Sequence, residues 1–182
     1  IRDSVYHGKF FVVPEDIVIA DIRNQVAQGV RHISFSDPDF LNGPGHARRV
    51  VTAMHSEFPE ITFDFTARIP HLLKYRHLLS EMKSAGCAFV ISAMETLNDD
   101  VLEVLYKGHT KADIIQVLGI MKKAQIPWRP SLLPFTPWAT LDDYLDLLDF
   151  VRNHDLVQNI DPVQFSLRLL IPPGSALLEQ NA

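Results

Sequence analysis

Cys87-Ala-Phe-Val-Ile-Ser-Ala-Met-Glu95, followed by Thr96-Leu-Asn-Asp-Asp-Val-Leu-Glu-Val-Leu-Tyr-Lys-Gly-His-Thr110, is the stretch whose reading decides the fold. Its first half follows Gly86, is rich in β-branched and aromatic residues, and turns polar only at its end, at Ser92 and Glu95. That is the pattern of an interior strand buried on both faces. Thr96-Leu-Asn-Asp99 has capping-box spacing and predicts a helix of about ten residues stopped by Gly108. A buried strand that feeds a helix delivers the Glu95 carboxylate to a loop at the strand mouth, as a βα unit does.

The same alternation runs through the rest of the chain. After an aromatic and β-branched lead-in at Val5–Val13, Pro14-Glu-Asp16 opens a helix whose apolar stripe is Ile17, Ile19, Ala20, Ile22, Val26 and Val30, closed by Gly29. Arg31 to Asp37 sets Ile33 and Phe35 against His32, Ser34 and Ser36. Ile61 to Arg68 sets Ile61, Phe63, Phe65 and Ala67 against Thr62, Asp64, Thr66 and Arg68. Four polar residues on one strand face are too many for a dry core; they line a wet or ligand-filled cavity. Pro127–Phe135 and Pro162–Ile171 read as two more strands, the second setting Gln164, Ser166 and Arg168 against Val163, Phe165, Leu167 and Leu169. Helices are predicted from Asn42 to His55, from Pro70 to Ser84, and after the capping boxes Thr110–Asp113 and Thr140–Asp143. Strand starts recur roughly every 25 to 40 residues, the size of a βα unit. No Gly-x-Gly-x-x-Gly turn follows any strand, and polar inner faces recur on several of them. The predicted fold is therefore α/β, a partial (β/α)6 TIM-like barrel with parallel strands, rather than a doubly wound sheet.

Composition narrows the function. At 182 residues, 47% apolar and 21% charged, the chain reads as one globular domain with a sizeable core. A net charge of -5, with only short basic pairs at Arg48-Arg49 and Lys122-Lys123, argues against a nucleic-acid partner. No apolar run reaches the roughly 18 to 20 residues of a membrane span and no signal-peptide pattern opens the chain, so a cytoplasmic protein is expected. The single cysteine, Cys87, excludes an internal disulfide and an all-cysteine metal site within this sequence. The start at Ile1 and the helix-like end at Ser175–Ala182 read as cuts, leaving a single domain over residues 1–182 truncated at both ends.

From about Val5 to Leu178 the chain resembles the radical S-adenosylmethionine (SAM) superfamily. The strongest likeness is Glu95 with Leu102 to Thr110, similar to the family's strand ending in an acid-containing turn and its Leu-x-x-Leu-x-Lys-Gly-His-Thr segment. Ser36-Asp37-Pro38 resembles the last three positions of Gly-Gly-Glu-Pro, with serine for glycine and aspartate for glutamate. Thr136-Pro137 and Thr140 fall where many members have Gly-x-Pro-Gly-Glu-Thr, and Ile171-Pro-Pro-Gly-Ser175 looks like a Pro-Gly-Thr turn. The wording is nearest to a short subgroup with a Cys-Ala-Glu-Pro-like tail. The resemblance implies a SAM site built from Ser36, Asp37, Pro38, Asp64, Arg68, Ser92, Glu95, Ser131, Ser166 and Arg168, with Arg129 a further candidate for a carboxylate. The family's Cys-x3-Cys-x2-Cys, which holds a 4Fe-4S cluster, is absent from this sequence, and the resemblance puts it upstream of Ile1 together with a first strand.

What the resemblance implies is an enzyme that generates a 5′-deoxyadenosyl radical and modifies a small-molecule or peptide substrate, with a reductase or ferredoxin as electron donor. Plainer readings stand beside it. Asp37 and Asp39 suit a turn, Asp64 suits an inner ion pair with Arg68 or Arg168, His32 suits a rim position, and Lys107 and His109 suit cations at a helix C-terminus. Two other functions are open: a metal-free (β/α)-barrel lyase or aldolase using Asp64 and a lysine, and a non-catalytic barrel that binds a nucleoside-like ligand or a protein partner. None of the five expected strands carries a lysine at its middle.

Overall fold

The computed structural model describes residues 11–173 and 175–178. Four strands, β1 (His32–Phe35), β2 (Thr62–Thr66), β3 (Cys87–Glu95) and β4 (Trp128–Leu132), make one parallel sheet in the order β1-β2-β3-β4. Each strand is laid on the same side of its predecessor. A doubly wound sheet reverses direction at a switch point, so this one-way winding is an arc of a barrel. Helices α1 (Glu15–Ala27), α2 (Pro44–Glu57), α3 (Ile69–Lys74), α4 (Leu79–Ser84), α5 (Asp99–Val104), α6 (Lys111–Ala124) and α7 (Leu141–Asn153) interleave with the strands. No helix among the described residues is long and apolar enough to cross a membrane. The lead-in through Phe10 and the chain after Leu178 lie outside the described residues.

The two faces of the sheet differ as the period-2 patterns predict. Ile33, Phe63, Phe65, Val90, Met94 and Trp128 are buried in one core with Ile22, Met54, Leu72, Met82, Ile114, Val117 and Met121 of the helices. Against them, His32, Ser34, Thr62, Asp64, Thr66, Arg129 and Ser131 share the inner face, and of these only Asp64 is buried.

Several predicted elements change form. The stretch expected as one helix from Pro70 to Ser84 is α3, a 3-10 turn at Arg76–Leu78 and α4, although Leu72, Leu78, Leu79 and Met82 stay buried as expected. Ile17 faces solvent instead of joining the α1 stripe, which is left to Ile19 and Ile22. The helix after β3 has six residues, and its cap is Asn98, whose side chain accepts from the Val101 N–H at 3.1 Å. The Thr96 hydroxyl accepts instead from the Asn98 N–H at 3.2 Å.

The largest correction is Pro162–Ile171, which is not a strand. Asp161 accepts from the Val163 N–H at 3.0 Å and Pro162 lacks a donor, so the chain closes into a 3-10 helix at Pro162–Ser166. What remains of the pairing is a single parallel bridge between Phe135 and Arg168. The Gln164 side chain stands in for a neighbouring strand: its Oε1 accepts from the Leu132 N–H of β4 at 2.9 Å.

Two local devices can be tested. Gly86 leads into β3 at φ 99°, and a Cβ there would lie 2.9 Å from the Ile61 carbonyl oxygen. Gly86→Ala is expected to cost about 2 kcal/mol, read as a lower denaturation midpoint. Thr140 and Asp143 form both halves of the predicted capping box at α7, and Asp143 also accepts from Asn98 Nδ2 at 2.9 Å. The Thr140 main-chain N–H holds the Asp143 carboxyl below the usual aspartate range. A depressed carboxyl contributes stability above its unfolded value, near pH 4, and loses it as pH falls through the folded value. Asp143→Ala should therefore cost about 1 kcal/mol at pH 7, with the gap to wild type closing below pH 4 in denaturant titrations.

Candidate functional site

The inner face carries a polar cluster whose centre is Asp64, 5% exposed. Register brings Ser34 and Phe89 to either side of it. The Ser34 hydroxyl donates to Asp64 Oδ2 at 2.6 Å, and His32 Nε2 lies 2.7 Å from the same oxygen while Nδ1 lies 2.7 Å from Thr62 Oγ1. The partner of Asp64 is thus His32, not Arg68 or Arg168, because adjacent strands place His32 one level away on the same face. Phe89 is the floor of this surface. His32 stacks on its ring with centroids 5.9 Å apart, and the Arg129 guanidinium carbon lies 3.7 Å from its centroid. Ser131, next on β4 along the same face, pairs with Ala93.

Loops after the first three strands are tied into a continuous rim. Asp39 Oδ1 accepts from the Arg68 N–H at 3.1 Å, and its Oδ2 lies 2.8 Å from His71 Nδ1. Arg68 Nη2 donates to the Lys107 carbonyl at 3.4 Å, and the Lys107 ammonium pairs with Glu95 Oε1. Glu95 itself has φ 64°, and the Thr96 N–H donates to the Met94 carbonyl at 2.9 Å across it. That bond closes a γ-turn of the rare, strained kind around a residue with a side chain. The Glu95 carbonyl then accepts from the Leu133 N–H at 2.8 Å, which joins the end of β4 to the rim.

The other expected site residues are spread. Ser36, Asp37 and Pro38 are exposed just past β1, and Asp37 Oδ1 accepts from the Asp39 N–H at 2.8 Å, so turn chemistry occupies one of its oxygens. Ser36 and Asp37 border a cavity of about 170 Å³ with Phe35, Phe40 and His46. Arg168 is exposed beside Phe135, beyond the end of β4. Ser166 donates to the Val163 carbonyl at 3.0 Å inside its own 3-10 turn. Ser92 is set apart from all of these. It pairs with buried Pro130 between Val90 and Met94 on the helix-covered face, where its hydroxyl is buried without a partner.

The sequence profile of the radical SAM superfamily matches residues 2–151. This chain belongs to the radical SAM superfamily. The ribosomal protein uS12 methylthiotransferase RimO of Parabacteroides distasonis is 22% identical over 161 residues, covering 80% of this chain and 36% of that protein. Among solved structures, the cobalamin-dependent SAM radical enzyme OxsB superposes with a TM-score of 0.68 at 15% identity, over 91% of this chain and 30% of its own. The radical SAM methyltransferase TsrM of Kitasatospora setae gives 0.63 at 16% identity, over 78% and 27%. The chain therefore spans about a third of the length of relatives it matches, and the structural likenesses carry the fold.

The radical SAM assignment was tested against a 4Fe-4S cluster, which these residues do not fit. Cys87 is buried, and desolvation pushes its thiol up to about 12, so it is no thiolate at neutral pH. Among the described residues no group of three His, Cys, Asp or Glu side chains could hold a metal.

Sequence patterning read His109 as a cation at a helix end, and the structure corrects this. His109 is 8% exposed, and burial lowers its pKa against the raising influence of the Met94 and Lys107 carbonyls and of Asp113, with Lys107 lowering it further. The ring is neutral at pH 7. A histidine buried neutral contributes stability above its unfolded value of 6.5 that is lost as pH falls through the lower folded value. His109→Asn should accordingly be less sensitive than wild type to a change from pH 7 to pH 5 in denaturant melts.

Proposed function

We propose that this chain is the SAM-binding arc of a radical SAM enzyme, whose C-terminal sheet rim grips the cofactor and whose inner face receives the substrate. The observation that carries the reading is Glu95, held at φ 64° at the end of the central strand with its carboxylate braced by Lys107. Such a backbone costs on the order of 1 to 3 kcal/mol and tends to persist where it aims a functional group. Stability alone would favour glycine there.

In this reading Glu95 accepts hydrogen bonds from the ribose hydroxyls, the remaining Asp37 oxygen receives the methionine ammonium, and Arg168 or Arg68 takes the carboxylate with its two-pronged guanidinium. Ser36 and Pro38 shape the turn that presents Asp37. Asp64, Ser131 and Arg129 lie on the inner face toward a small-molecule or peptide substrate. The cofactor supplies the radical chemistry, and the protein's work is to orient it and keep water out. The cluster would take its thiolates from outside this sequence and its electrons from a reductase or ferredoxin. A lyase or aldolase finds no support on the sheet, since none of the four strands contains lysine.

The test is SAM affinity of the full-length protein, purified without oxygen, by equilibrium dialysis. Glu95→Gln is expected to raise the Kd about tenfold, the loss of one charge-assisted hydrogen bond, with a melting temperature near that of wild type. An unchanged Kd would overturn the reading.

A further inference from the structure

His109 is a buried ionisable side chain that the proposed chemistry leaves unused. Its Nε2 is buried with no hydrogen-bond partner among the described residues, and its ring lies against the main-chain carbonyls of Met94 and Lys107. These two carbonyls belong to the two limbs that aim Glu95. Met94 supplies the oxygen that closes the strained turn around Glu95, and Lys107 supplies the ammonium that holds its carboxylate. One ring thus bridges the strand limb and the loop limb of the same carboxylate.

The segment that delivers the ring is held at both ends. Tyr106 at φ 52° and Gly108 at φ 69° reverse the chain twice in three residues after α5. Thr110, the next residue after His109, is fixed by its capping box with Asp113 at the start of α6. Between these anchors the side chain has little room to move, and a residue placed there for bulk alone would not need a nitrogen.

We propose that neutral His109 is a positioning residue for SAM, locking the Met94–Thr96 turn to the 106–110 segment and thereby setting the direction of the Glu95 carboxylate. This rests on the assignment of Glu95 to the cofactor made above. A ring N–H can serve a carbonyl without adding charge, whereas a cation there would face the Lys107 ammonium at close range. Burial favours the uncharged ring and so the clasped turn.

The experiment measures SAM Kd and melting temperature for full-length wild type, Glu95→Gln, His109→Asn, His109→Phe and the Glu95→Gln/His109→Phe double variant. Asparagine places an N–H where Nδ1 stands, whereas phenylalanine keeps the ring volume and has no donor. His109→Phe should raise the Kd at least tenfold and His109→Asn less than threefold. The double variant should bind no more weakly than Glu95→Gln alone, since both changes act through one carboxylate. If Glu95→Gln weakens binding and His109→Phe does not, the positioning role is wrong while the cofactor reading stands. If Glu95→Gln itself has no effect, both fall. Should His109→Phe fail to fold, His109→Gln replaces it. Glutamine carries its N–H at the Nε2 position and should bind SAM at least tenfold more weakly than His109→Asn. Equal affinity of the two, or the reverse order, overturns the proposal.

Discussion

The ladder that β3 forms with β2 and β4 constrains everything at the rim. Its register shifts by a residue against β2 between Phe63 and Asp64, and again against β4 between Ala93 and Glu95. The first shift puts Phe89 beside Asp64 on the inner face. The second ends the strand in a left-handed residue, so that Glu95 leaves the sheet into a tight turn instead of continuing the pleat. Gly86 is what permits the approach, because its bare Cα lets the entry to β3 pass against the Ile61 carbonyl.

From that strand the polar groups sort into two levels. Below lies the cluster of His32, Ser34, Thr62 and Asp64 with the Phe89 floor; above lies the rim of Asp39, Arg68, Lys107 and Glu95. The lower level satisfies a buried carboxylate with two donors, which a low-dielectric face requires. The upper level is half-exposed and spans three successive loops, so no single loop determines where Glu95 sits. This division is what a barrel arc offers to a cofactor at its mouth and a substrate inside it.

Legibility in the sequence followed the range of the interactions. The strand at Ile61–Ala67 and the capping boxes at Thr110 and Thr140 could be read because each depends on residues within a few positions of one another. Pro162–Ile171 deceived because its apolar alternation suits a strand, yet Asp161 and Pro162 together impose a local turn that alternation does not reveal. At Thr96 two overlapping capping signals competed, and Asn98 prevailed. The pairing of His32 with Asp64 depends on which strands are neighbours, 32 residues apart, and the burial of His109 depends on two left-handed residues in the loop before it. Ser92 was displaced for a similar reason, since the shifts along β3 decide which face each of its residues takes.

Gln164 has a consequence for solubility. An outer strand with bare amides is a template for pairing with another copy of the chain, and β4 would offer such a template where the expected fifth strand gives way to a turn. By filling the Leu132 N–H with a side-chain oxygen, and leaving only a short bridge at Phe135, the chain caps that template without building another strand. The amide of one glutamine thereby works as a gatekeeper against edge-to-edge aggregation.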